Sequence, residues 1–136
     1  MSLNSNKKEY ITLKIEEIER RYNEYNEKYY DGVLPICKIR VVTSKNKVPA
    51  WYKNYPKCGK IYIARNFFWT EEKLKVTILH EMAHCYVHKI LKRNPFFSHS
   101  RTFRKVCFNL KKKHGIRINL WNIPIPHMKG KKNHRF

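Results

Sequence analysis

His80-Glu81-Met82-Ala83-His84 sets two imidazoles four residues apart, with a carboxylate next to the first. On a helix, residues four apart share a face, so the two rings can hold one ion between them while Glu81 reaches the water that ion would bind. Zinc held in this way lowers the pKa of its water to about 7, and a neighbouring Glu takes the proton released as a polarised carbonyl is attacked. The pattern therefore points to a metal hydrolase, with His80 and His84 as ligands and Glu81 as general base. The flanks Thr77-Ile78-Leu79 and Met82-Ala83 supply the apolar back face such a helix needs.

A catalytic zinc normally takes three protein ligands and keeps one position open. No acidic residue follows Glu81, so a downstream third ligand must be one of His88, His99, His114, His127 and His134. The longer zincin pattern fails, because Val87 and Ile90 stand where it needs Gly and His. His88 shares the face of His84, but three ligands on one straight helix stretch over two turns, farther than one ion readily spans. His99 is better placed, since a loop turning at Asn94-Pro95 would return it to the site at the mouth of the next helix. The tail histidines stay open as alternatives.

Several elements must position these residues. Ile11, Ile15, Ile18, Tyr22, Tyr25 and Tyr29 alternate steps of four and three, which predicts an amphipathic helix ended by Asp31-Gly32 and Pro35. Residues 36–42 are rich in β-branched side chains and read as a strand, as does Ile61-Tyr62-Ile63 after the turn signal Pro56-Lys57-Cys58-Gly59. Between them the sequence reads as a loop carrying Trp51, Tyr52 and Tyr55 among lysines, aromatics suited to covering a sheet edge or stacking on unpaired bases. Thr70 with Glu71 and Glu72 marks the start of the helix that carries the motif, expected to run to about Leu91. A further helix is expected from about His99 to His114, with Phe103, Val106, Cys107 and Leu110 on its apolar face and Gly115 as terminator. The whole is an α+β chain with one domain at 10–115 and a basic tail at 116–136, irregular and containing Pro124 and Pro126.

The 136 residues carry 30 Lys and Arg against 10 Asp and Glu, a formal net charge of +20. Fourteen of the basic residues lie after Glu81, where nothing acidic offsets them. Such a field gathers polyanions, and nucleic acid is the leading partner class. Met1 to Lys8 lack the apolar stretch of a signal peptide, and nowhere do 18 apolar residues run together, so an intracellular chain with no membrane partner is expected. Cys37, Cys58, Cys85 and Cys107 form no C-x-x-C pair, which argues against a zinc ribbon and for reduced thiols.

Taken together, Tyr29-Tyr30-Asp31-Gly32-Val33-Leu34-Pro35, then Gly59-Lys60-Ile61-Tyr62-Ile63, the His-Glu helix and finally His99-Ser100-Arg101-Thr102-Phe103 resemble the SprT-like metalloprotease family over residues 10–114. The resemblance implies a minimal zincin-like fold, Zn2+ on His80, His84 and His99, Glu81 as catalytic acid/base, and proteolysis of protein substrates with a DNA link. Two departures stand out. Ser100 replaces the small residue, often Gly, that follows the third ligand in the family, and the downstream Cys-rich zinc-binding module of many relatives is missing, so DNA contact must be made differently. Two other functions fit the same residues: a nucleic-acid-binding protein with a structural or vestigial zinc, and a non-proteolytic zinc hydrolase. The fifteen-residue step from His84 to His99 favours the SprT-like reading. Oligomeric state is not legible from the sequence.

Overall fold

The protein is described by a computed structural model that covers residues 9–95, 97–118 and 126–129. The described residues form an α+β fold with three α-helices and one three-stranded sheet. Helix α1 (Ile15–Tyr29) turns Ile18, Tyr22, Tyr25 and Tyr29 inward, as the four-and-three spacing demands. It begins at Ile15 and not at Ile11, because the Ile11 amide is committed to the carbonyl of Trp69 at 2.8 Å in an isolated β-bridge. Asp31 and Gly32, both at positive φ, reverse the chain. Buried Asn26 then clamps the return: its amide donates to the Leu34 carbonyl and its oxygen accepts from the Leu34 amide.

Strands β1 (Cys37–Val42), β2 (Ala50–Asn54) and β3 (Gly59–Ala64) form the sheet in the order β1-β3-β2, with β1 parallel and β2 antiparallel to the central β3. The expected loop around Trp51 is thus a strand over Ala50–Asn54. Period-two alternation explains it: Ala50 and Tyr52 turn toward the core while Trp51 and Lys53 turn outward, a pattern that the lysines and asparagines around it disguise in the sequence. The inner face also carries Cys37, Ile39, Ile61 and Ile63, and it packs in one cluster with Ile18, Ile78 and Met82. Gly59 opens β3 because the ring of Tyr52 fills the space a Cβ would need, with the Tyr52 hydroxyl 2.3 Å from that position.

Helix α2 (Glu71–Cys85) is capped by Thr70, whose Oγ1 accepts from the Lys73 amide at 3.2 Å, with Glu71 and Glu72 in its first turn. It ends six residues short of Leu91. The backbone loosens into a π turn over Tyr86–Ile90, and the Leu91 amide closes on the Tyr86 carbonyl. Helix α3 (Arg101–His114) starts two residues later than expected, because Ser100 takes the cap and its Oγ accepts from the Phe103 amide. Gly115, at φ 74, ends it as a left-handed cap.

The described part of the tail is irregular and partly anchored. Ile118 is buried, Met128 bridges Phe67, and the Phe68 amide donates to the His127 carbonyl at 2.7 Å. Trp121, Lys131, Lys132 and His134 lie outside the described residues. No helix among the described residues is long and apolar enough to cross a membrane. All four cysteines are free.

Candidate metal centre

Helix α2 is apolar nearly all round: Leu74, Ile78, Leu79, Met82 and Ala83 are buried together with His80 and Glu81. A helix this enclosed must be held between layers, and α2 lies against β2 on one side and α3 on another. Its tertiary fixing includes a buried hydrogen bond from Tyr30 Oη to the Leu79 carbonyl at 2.9 Å, one residue before the first histidine. The helical repeat then brings the rings of His80 and His84 to 5.0 Å, nearly perpendicular.

After the π turn the chain doubles back, and His99 arrives one residue before the Ser100 cap of α3. Its Nε2 faces the Nε2 of His80 at 3.1 Å, and its ring lies 5.1 Å from that of His84. One ligand atom from each of the three histidines lies within 4.8 Å of the other two. Nitrogens about 2.0–2.1 Å from a tetrahedral ion sit roughly 3.3 Å apart, so the His80 to His99 separation is close to what a shared ion requires.

The donor set fits a divalent cation chemically as well. Burial pushes His80 down to about 3, with His99 nearby adding to the effect, and His84 down to about 2, with His80, His99 and His88 adding to it. His99 is also lowered by burial. All three rings are therefore neutral at pH 7, the state in which imidazole is a ligand. Among the described residues, the buried Nδ1 of His80 has no hydrogen-bond partner. Glu81 is fully enclosed, and burial raises its carboxyl to about 8.

The remaining histidines sit elsewhere. His88, on the π turn, stacks on Tyr52 with ring centroids 5.8 Å apart. His114 meets Tyr29 edge-on at the far end of α3, and His127 is exposed. The sequence placed Phe103 on an apolar helix face and in the His99–Phe103 segment of the family resemblance, without a role at the site; its fully buried ring packs within about 5 Å of all three imidazoles and stacks on His84 at 4.1 Å. The signal was present in the four-residue step from His99, which puts Phe103 one helical turn on.

Compared with curated proteins, the chain finds no match. The model of the SprT-like family, by contrast, matches residues 18–123, from α1 through the histidine helix and α3 into the tail. A helix that presents two histidines, a loop that returns a third, and a match over most of the sequence agree, and the chain belongs to the SprT-like family.

Proposed function

We propose that this chain is a zinc-dependent metallopeptidase with a minimal zincin-like fold, acting on proteins associated with DNA. The observation that carries the proposal is the convergence of His80, His84 and His99 within 4.8 Å, with Glu81 buried beside the first of them in sequence. Membership of the SprT-like family, a metalloprotease-type domain, supports the same reading.

Zinc bound there supplies Lewis acidity, polarising a peptide carbonyl and acidifying a water molecule. The three histidines would hold it, and their low proton affinity leaves their lone pairs available at neutral pH. Glu81 accepts the proton from the attacking water and returns it to the leaving amine. Burial raises its carboxyl to about 8 in the metal-free chain, and the positive charge of a bound cation would lower it toward the ionised form that accepts the proton. Phe103 keeps the three rings in register and excludes solvent from their apolar side. The surplus of positive charge would hold the enzyme near nucleic acid and so near its protein substrates.

The test is zinc content together with cleavage of a basic protein, with and without single-stranded DNA, for wild type, Glu81→Gln and His99→Ala. One equivalent of zinc, cleavage lost in both variants and metal weakened only in His99→Ala is the expected result. Undiminished cleavage by Glu81→Gln would overturn the assignment.

A further inference from the structure

The outer face of the sheet is a second chemical surface, separated from the metal centre by the sheet itself. Strand register aligns Arg40, Tyr62 and Trp51 in one row across β1, β3 and β2, and Lys38, Lys60 and Lys53 in the next. Alternation puts all six on the side opposite Ile39, Ile61 and Tyr52, and Lys38, Arg40 and Lys53 are exposed. The rings of Trp51 and Tyr62 are stacked, with centroids 5.2 Å apart and planes 10° from parallel. Lys53 Nζ lies 5.9 Å from the Tyr62 ring, and Lys60 Nζ lies 5.1 Å from the ring of nearby Tyr55.

Charge completes the picture. No Asp or Glu occurs anywhere between Asp31 and Glu71, so the whole sheet and its connections are free of carboxylates. The ion pairs found among the described residues all use Glu17, Glu24, Asp31 or Glu71, and none engages a cation of this face. A sheet face needed only for solubility would mix both signs. This one sets an aromatic row beside a row of three lysines, about 7 Å apart along the strands.

From this we infer that the outer face binds single-stranded nucleic acid, with an unpaired base extending the Trp51–Tyr62 stack on its free face and phosphates neutralised by Lys38, Lys53, Lys60 and Arg40. Aromatic faces accept any base that is not already paired, whereas a duplex offers this flat surface only its phosphates. Bound there, nucleic acid lies behind the sheet and leaves the histidine side open to protein. The inference builds on the nucleic-acid part of the proposed function and does not depend on proteolysis.

The experiment measures anisotropy of a labelled oligothymidylate and of a duplex of equal length, titrated with the full chain. Variants are Trp51→Ala, Trp51→Phe, Lys38→Gln with Lys53→Gln, and Lys112→Gln with Lys113→Gln as a control on α3. Circular dichroism is read alongside, because a cross-strand aromatic pair also supports the sheet. Trp51→Ala should weaken single-strand binding about tenfold and duplex binding little, while Trp51→Phe keeps most of the affinity. The double lysine variant should lower the slope of log affinity against log salt by about 1.4, at roughly 0.7 per phosphate contact, more than the α3 control does. If Trp51→Ala fails to fold, the exposed lysine pair and Trp51→Phe decide the matter. Unchanged affinity in the lysine pair, or equal losses for duplex and single strand in Trp51→Ala, would overturn the inference. Cleavage is recorded separately on the same preparations, so a chain that binds the oligonucleotide but cuts nothing refutes the protease reading alone.

Discussion

Nε2 of His80 and Nε2 of His99 face each other at 3.1 Å, although one lies in the middle of α2 and the other in the loop before α3. Two neutral imidazoles can share one N–H···N hydrogen bond there, worth about 1 kcal/mol, whereas a cation held between the rings would engage both lone pairs. Replacing His99 by Ala should therefore weaken metal binding by about 100-fold or more, the upper end of what even outer-sphere partners are worth. His88→Ala, on the π turn and stacked on Tyr52, should leave it within about threefold. Competition against a chromophoric chelator measures both. Equal losses in the two variants would contradict a site built on His99.

Glu81→Gln separates holding the metal from moving the proton. Gln is nearly the same shape, so metal affinity should change little, while turnover falls by about 100-fold to 10,000-fold, the usual contribution of a positioned acid/base. Metal titration and a single-turnover cleavage assay on one preparation read the two effects. A variant that lost its metal would instead place Glu81 among the ligands.

Much of this arrangement was legible in the sequence, and the parts that were not share a cause. Local signals carry α1, α2 and α3, because helical periodicity and the caps Thr70, Ser100 and Gly115 act within a few residues. The start of α1 and the strand β2 depend on distant partners: Ile11 on the Trp69 carbonyl, and Trp51 on Tyr62 across the sheet. Lys53 and Asn54 weaken β propensity, yet pairing with β3 overrides it. His99 was accessible as a candidate because the absence of acidic residues after Glu81 limited the donors to histidines. The Asn94-Pro95 turn already pointed to the return of His99, but its approach to His80 and the closure of Phe103 over all three rings depend on packing between α2 and α3, which no local pattern specifies.

The metal-free protein should show two opposed pH dependences. His80 and His84 have proton affinities lowered on folding, to about 3 and about 2, so below about pH 6.5 the unfolded chain binds more protons and stability falls as pH falls. Glu81 is raised to about 8, so between about pH 4.5 and 8 it is the folded chain that holds the extra proton, and stability falls as pH rises. The histidines of the unfolded chain go on losing protons up to about pH 7.5, and His99, also lowered by burial, acts in the same direction; only above that are the rings neutral in both states, leaving the Glu81 effect. Thermal melting of chelator-treated protein should thus lose about one to two degrees from about pH 7.5 to 8.5, and Glu81→Gln should lessen that loss. An identical slope in the variant would show that Glu81 is not enclosed.

Phe103 tests whether the imidazoles need a wall. Its ring is fully buried and touches all three histidines, so Phe103→Ala should cost about 3–5 kcal/mol of folding stability by urea denaturation. Phe103→Leu retains most of the volume but not the flat face against His84, and should keep the fold while weakening the metal several-fold. Full metal affinity in Phe103→Leu would make the ring mere filling.

Gly59 offers the sharpest test of the sheet itself. Gly59 ends the turn signal Pro56-Lys57-Cys58-Gly59, but its φ is not positive, and the ring of Tyr52 occupies the space where a Cβ would lie. Gly59→Ala must displace Tyr52, whose ring also stacks on His88 and packs against the core from β2. The expected loss is about 1–3 kcal/mol, the cost of overpacking a fitted interior. The double variant Gly59→Ala, Tyr52→Leu should recover part of it, because the shorter side chain vacates the contested space. Additive losses in the double variant, measured by denaturant titration, would mean that the two residues do not compete for that space and that Gly59 serves the turn after all.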